Sequence, residues 1–283
     1  MHNVKQYLYK LKRNDTWLKI KRPIMHKLDY YQSSLAVKRS GQNQRSKDIL
    51  LQYKNRYAGQ RCFILGNGPS LTINDLNWLK GEITFASNRI YKAFDQTDWR
   101  PTFYAIFDES VGETEGLAEE VSKMQCIKFC REQGYYIFHD IKGDVCWLHS
   151  YYGRKYIDHP KFSENLLDGV YALATVTYTM IQIARWMGFS EIYLLGCDNR
   201  YAYTILRDGT IVRNENVMSY FYNNSMNEAD ALRAAEPWGM NIIFEFAEKY
   251  SREHGFRIYN ATRGGFLEAF ERVNMDDLIG TVK

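Results

Sequence analysis

The 283-residue sequence contains no Asp-x-Asp pair, and so lacks the carboxylate couple that commonly clamps Mg²⁺ or Mn²⁺ against a nucleotide diphosphate. It has no run of 18 apolar residues, and no segment reads as a membrane-spanning helix. The N-terminus also lacks the continuous apolar stretch of a secretory leader, which makes the cytoplasm the expected address. Cysteine is scarce and odd in number, at positions 62, 126, 130, 146 and 197. Cys62 and Cys197 fall in apolar, strand-like runs where a buried thiol is ordinary. Cys126-x3-Cys130 has no second Cys or His pair at zinc spacing, and no metal site is expected. Histidine is absent between positions 160 and 253.

What the sequence does have is tyrosine and an uneven charge. Aromatic residues make up 15% of the chain, with 22 Tyr, a composition that suits sugar or base stacking and equally a tyrosine-rich core. The net charge of +4 conceals an asymmetry: residues 1–57 hold 14 Lys/Arg against 3 Asp/Glu, and the remainder is acidic. A nucleic-acid-binding enzyme spreads its basic stripe over the body, so no nucleic-acid partner is expected. Residues 1–57 read as a basic arm and 58–283 as one nucleotide-binding catalytic domain. Within the arm, Tyr7, Leu8, Leu11, Trp17, Leu18, Ile20 and Ile24 alternate with lysines and arginines. Two readings stay open for residues 1–40: an interfacial helix on an anionic membrane surface, or a helix packed on the body. Ser40–Gln44 reads as a linker and 45–57 as a helix.

From Arg61 onward, short apolar runs alternate with helical patterns. Strands are expected at Cys62–Leu65, Ile83–Ser87, Phe103–Phe107, Cys126–Phe129, Tyr135–Phe138, Ile192–Leu195 and Arg257–Tyr259. Helices are expected at Ala172–Met187 and at Asn227–His254, the latter kinked at Pro237. The alternation predicts an α/β, Rossmann-like, doubly wound and mostly parallel sheet with a basic helical N-terminal arm and a lid insertion.

The chemistry concentrates at strand ends. Gly66-Asn67-Gly68-Pro69-Ser70 follows the first strand as a phosphate-holding loop: the glycines let backbone approach a ligand, Pro69 opens a helix, and Ser70 with the amides beyond it faces an anion. It matches neither the Walker loop nor the three-glycine dinucleotide fingerprint. Ser87, Asn88 and Arg89 end the second strand and are expected beside that loop, because ligands sit beyond the carboxyl ends of parallel strands. Asn88 is a candidate for ribose or the transferred group, or a helix cap; Arg89 is a candidate for phosphate or carboxylate. Asp108 and Glu109 end the third strand as candidate acid or base residues, or as caps. Thr175 and Thr177 are candidates at a helix N-terminus. Gly196 and Asp198 close another strand, with Tyr201 and Tyr203 just after, and Asn260 and Arg263 lie in a segment that fits either a second phosphate clamp or an ordinary loop.

Four of these segments carry a resemblance: Ile64–Leu71 (ILGNGPSL), Phe85–Arg89 (FASNR), Gly188–Asp198 (GFSEIYLLGCD) with Tyr201 and Tyr203, and Ile258–Gly265 (IYNATRGG). Together they resemble the superfamily that joins bacterial sialyltransferases of the lipooligosaccharide type to the 6-hydroxymethylpterin-diphosphokinase-like domain, in its surface-polysaccharide-associated branch. The resemblance covers roughly 60–275. It implies Asn67 and Asn88 at a nucleotide sugar and Tyr201 and Tyr203 at the donor phosphate. One departure stands out. The sialyltransferases carry a catalytic-base His in the lid after those tyrosines, and the stretch here, Met218–Asn224, has none. Asp108, Glu109, His149 or His159 is then the base, or the chemistry differs. Residues 139–159, rich in aromatics, read as a structural lid.

The expected function is a metal-independent glycosyltransferase using a CMP-activated sugar donor and a glycan or glycolipid acceptor in cell-surface polysaccharide or lipooligosaccharide synthesis. Asp108, Glu109 and Asp198 are its candidate catalytic residues, and no cofactor is expected. The alternatives are a diphosphokinase using ATP and Mg²⁺, and a non-catalytic nucleotide-binding protein.

Overall fold

The computed structural model describes residues 22–222 and 235–279. Two helices come first, α1 (Arg22–Arg39) and α2 (Gln42–Tyr53). Then follow β1 (Arg61–Leu65), α3 (Ile73–Trp78), β2 (Thr84–Ser87), β3 (Phe103–Ile106), α4 (Glu109–Gly112), α5 (Leu117–Ser122) and β4 (Ile127–Arg131). Next are α6 (Tyr135–Phe138), β5 (Val145–Leu148), β6 (Ser150–Tyr151), α7 (Lys155–Asp158), β7 (Val170–Tyr171), α8 (Val176–Trp186) and β8 (Glu191–Leu195). The hairpin β9 (Tyr203–Ile205) and β10 (Ile211–Arg213) precedes α9 (Pro237–Glu253), β11 (Arg257–Asn260), β12 (Glu271–Arg272) and α10 (Met275–Ile279).

Eight strands form one sheet in the order β12-β11-β8-β1-β2-β3-β4-β5, and every pairing in it is parallel. The chain winds outward from β1 through β5 in one direction and then returns to build β8, β11 and β12 in the other. The order therefore reverses between β1 and β8, where α/β sheets of this kind open a crevice at the carboxyl ends of their strands.

Both faces of the sheet are covered, which is why its strands are continuous apolar runs and not alternating ones. Cys62 and Ile64 of β1 pack with Leu50 of α2, Ile181 of α8 and Phe244 of α9 on one side. Phe63 and Leu65 pack with Leu76 of α3, Val121 of α5 and Met275 of α10 on the other. The period of two along β1 thus feeds two separate cores.

The arm's described part is tied to the body. Ser33 and Val37 of α1 and Ser46 and Leu50 of α2 are buried. The Trp147 amide donates to Ser46 Oγ at 2.8 Å, and Trp186 Nε1 donates to the Leu50 carbonyl at 2.9 Å. Packing is therefore the state of the arm from Ser33 onward, while residues 1–21 lie outside the described residues. The linker expected at Ser40–Gln44 reduces to Ser40–Gly41, with Gly41 left-handed at φ 72°.

Three expected elements differ. Tyr135–Phe138 is a helical turn and not a strand, closed by the His139 amide on the Tyr135 carbonyl at 2.8 Å; a four-residue apolar run has too little periodicity to separate the two. Val145–Leu148 lies within the stretch expected to be a lid, yet it is the edge strand of the main sheet. Pro237 begins α9 and does not kink it, because a residue with no amide hydrogen fits a first turn that has no partner for one. The part of that helix expected at 227–234 lies outside the described residues.

Candidate functional site

The glycine loop meets the end of β8 across the switch point. The Gly66 amide donates to the Leu195 carbonyl at 2.8 Å, and the Gly68 amide donates to the Gly196 carbonyl at 2.9 Å. Neither Gly66 nor Gly68 has a positive φ. Their role is close approach: a Cβ on Gly66 would strike the Gly196 carbonyl, and one on Gly68 would strike the Asp198 carboxylate and the same carbonyl. Gly196, at φ 70°, makes the turn on the β8 side.

The loop also differs from the expected helix N-terminus. Pro69 and Ser70 lie in a turn closed by the Leu71 amide on the Gly68 carbonyl. Helix α3 starts only at Ile73, with Thr72 and Asp75 satisfying each other in a capping box. Ser70 already has an anion: its Oγ and its amide donate to Asp198 Oδ2 at 2.7 and 3.4 Å. Burial pushes the Asp198 carboxyl above its ordinary range, and the Ser70 bonds partly offset that rise.

Beside this junction lies a cavity of about 430 Å³, within the range of small-ligand sites. Gly66, Asn67, Gly68, Ser87, Asn88, Asp108, Thr175, Thr177, Gly196, Asp198, Tyr201 and Tyr203 line it. Four residues anticipated from sequence lie elsewhere, each for a visible reason. Arg89 donates to Thr114 Oγ1 at 2.8 Å. Glu109 pairs with Arg131 Nη1 at 3.3 Å. Asn260 is buried and spans its own loop, donating to the Leu267 carbonyl and accepting from the Thr262 amide. Arg263 bridges Asp75 at 2.6 Å and Asp276 at 3.1 Å, so the expected second phosphate clamp is an internal ion-pair network. Pro69 and Ser70 likewise fall outside the cavity lining.

Two asparagines define the cavity's polarity. Asn67 Nδ2 donates to the Ser87 carbonyl at 3.1 Å, which directs Oδ1 the other way. Asn67 Oδ1 and Asn88 Oδ1 are both buried acceptors with no hydrogen-bond donor. Asn88 sits at φ 53°, a left-handed conformation that asparagine tolerates better than most residues. It does not cap the following turn, whose capping position is Arg89. Asn199 Oδ1, in the same lining, has no partner either; buried polar atoms are normally paired, so these orphaned oxygens point to a ligand that brings donors.

Two further features of the lining suit an anion. Thr175 caps α8, accepting from the Thr177 amide at 3.3 Å, and residues 174–177 line the cavity, presenting the N-terminus of an 11-residue helix. Arg131, at the end of β4, was not anticipated from sequence. Its Nε and Nη2 are buried without hydrogen-bond partners, while its guanidinium packs 4.0 Å from the Tyr152 ring centroid. A basic residue closing an apolar strand at the same edge as Asn88 was the available signal. Arg200 and Glu236 also line the cavity and were not anticipated. Among the described residues no histidine lines it, which leaves out both His149 and His159, and no group of three His, Cys, Asp or Glu could hold a metal ion.

The cavity is covered by the segment that follows β10. The Phe221 amide donates to the Asn67 carbonyl at 2.9 Å, placing this segment on the glycine loop. Tyr201 is half-buried, with its hydroxyl 3.3 Å from Met240 Sδ, and Tyr203 lies on β9.

A family model for 6-hydroxymethylpterin diphosphokinase MptE-like proteins matches residues 36–204. Comparison with curated proteins gives no match. Among solved structures, the MAf glycosyltransferase from Magnetospirillum magneticum AMB-1 is similar, at 16% identity and TM-score 0.49, over 85% of this chain. The chain spans only 39% of that protein. The sialyltransferase CstII from Campylobacter jejuni, solved with the substrate analogue cytidine-5'-monophosphate, is similar at 15% identity and TM-score 0.42, over 76% of this chain and 85% of its own.

Proposed function

We propose that this chain, which belongs to the 6-hydroxymethylpterin diphosphokinase MptE-like family, is a glycosyltransferase that takes its sugar from a nucleoside-monophosphate donor of the CMP type without a divalent metal. The observation that carries this reading is the pairing, in one cavity, of two orphaned amide oxygens with the unpartnered nitrogens of Arg131. Asn67 and Asn88 would accept from ribose hydroxyls or a base amine. Arg131 and the α8 N-terminus would hold the single phosphate.

In the transfer, an acceptor hydroxyl oxygen bonds to the anomeric carbon and the bond from that carbon to the phosphate oxygen breaks. The nucleoside monophosphate leaves with the electron pair, and the hydroxyl proton passes to a carboxylate. Asp108, Asp198 and Glu236 are the carboxylates that line the cavity. Asp198, whose burial raises its affinity for a proton, is our candidate base, and it would exchange its Ser70 hydroxyl bond for the acceptor hydroxyl. The acceptor would be a glycan or glycolipid of the cell surface, and the basic segment 1–21 would approach an anionic membrane face from the cytoplasm. No described helix is long and apolar enough to cross a membrane.

The diphosphokinase alternative draws on the family's description and requires carboxylates converging on Mg²⁺. Here Asp108 accepts from the Ser110 amide and hydroxyl, Glu109 pairs with Arg131, and Asp198 accepts from Ser70. They face different partners, and among the described residues no group of three His, Cys, Asp or Glu is placed to hold a metal ion. Thermal shift with CMP, CDP, UDP and ATP, each with and without Mg²⁺, separates the readings. Stabilisation by CMP in EDTA supports the proposal; stabilisation by ATP only with Mg²⁺, with AMP released, overturns it.

A further inference from the structure

A second cavity, of about 530 Å³, lies against the first and shares Tyr203, Ser219 and Tyr220 with it. We propose that it is the acceptor subsite and that it takes an uncharged pyranose, the terminal sugar of the acceptor. This inference rests on the donor reading above.

The shared wall supplies the first argument. The two cavities have three lining side chains in common, so a molecule in the second would lie beside one in the first, as two bound sugars that exchange a group must. The wall is also built and held. The Asn214 amide donates to the Ala202 carbonyl at 2.7 Å, Asn214 Nδ2 donates to the Tyr201 carbonyl at 2.8 Å, and the Ala202 amide donates to Ser219 Oγ at 2.9 Å. These bonds lace residues 214–219 to the strand exit that carries the donor-side tyrosines.

The lining chemistry supplies the second. Tyr220 and Tyr222 stack with ring centroids 5.2 Å apart and planes 9° from parallel. Paired aromatic rings offer the flat apolar surface that the C–H face of a pyranose covers, with a polar edge beside it. Around them, Arg213, Asn214, Glu215 and Asn216 provide donors and acceptors for hydroxyls. Arg213 and Glu215 are exposed and opposite in charge, so the lining has no net charge. A phosphate or a nucleotide would find one cation countered by a carboxylate, whereas a neutral sugar uses both as hydrogen-bonding groups.

The test is saturation-transfer NMR on the full chain with free galactose, N-acetylglucosamine and lactose, with and without CMP, alongside CMP thermal shift. Transfer to sugar ring protons is expected. Tyr222→Ala should weaken that binding about ten-fold, the equivalent of about 1.4 kcal/mol, and Arg213→Ala, at an exposed position, should weaken it several-fold. Both variants should keep the wild-type response to CMP. Absence of transfer from all three sugars while CMP still binds overturns the acceptor subsite and leaves the donor reading standing. So does unchanged sugar binding in both variants. Failure of the wild type to bind any nucleotide strikes the donor reading instead, and sugar binding that Tyr222→Ala weakens would then still support the second cavity as a saccharide site.

Discussion

Two glycine-bearing strand exits, Gly66–Ser70 after β1 and Asn260–Gly265 after β11, look alike in sequence and end in opposite states. Each combines glycines with an asparagine and a hydroxyl residue. After β11 the polar groups consume one another: Asn260 spans its loop, and Arg263 is divided between Asp75 and Asp276. After β1, Asn67 keeps a buried oxygen with no donor, as does Asn88 beside it at the end of β2. The lesson is that residue type marks where chemistry can occur, while unspent hydrogen-bonding capacity marks where a ligand is to be sought.

Gly68→Val should have the largest effect. Its side chain would collide with Asp198 and the Gly196 carbonyl, so fold stability falls along with nucleotide binding, by about 3 kcal/mol as for an overpacked core. Chemical denaturation measures it, and a variant of wild-type stability would mean that the β1–β8 contact is looser than described.

Arg263→Ala, and Asn88→Gly in the cavity beside the β1 exit, then separate the two regions. Arg263→Ala leaves the fully buried Asp75 without its cation; because Arg263 is 37% exposed and Asp75 keeps its Thr72 bonds, the loss should be about 1–2 kcal/mol. Nucleotide affinity should not change. Asn88→Gly should do the reverse, lowering nucleotide affinity about ten-fold, or about 1.4 kcal/mol, with little change in melting temperature because glycine accepts the φ of 53°. If both variants moved the same quantity, the contrast between the exits would fail.

Asp198→Asn gives a smaller, pH-dependent change. Burial raises the folded carboxyl's pKa above 3.8, so the folded state binds the proton more tightly than the unfolded one. The native protein is then penalised as pH rises from the unfolded value through the folded one. The variant, which removes the charge, should gain melting temperature over wild type across that window and hold the gain above it. A gain that grows toward acid would contradict the burial argument.

Much of this was legible in the sequence. Apolar runs in strand-length pieces marked the parallel sheet, and those ending near Gly, Asn or Asp marked most of the cavity edge. The losses have physical causes. Arg89 and Arg263 read as phosphate ligands because a sequence does not show Thr114, Asp75 or Asp276 arriving from distant positions to take their hydrogen bonds. Arg131 went unseen because its strand carried no glycine loop. Val145–Leu148 was obscured by the aromatic residues around it, and joins the sheet through pairing with β4.

The central claim is tested most directly by titrating CMP into the full chain by calorimetry in EDTA and repeating the titration with Mg²⁺. One CMP per chain should bind with the same affinity in both, and Asn88→Gly should lower that affinity about ten-fold. No binding of CMP, with ATP binding only when Mg²⁺ is present, would contradict the account.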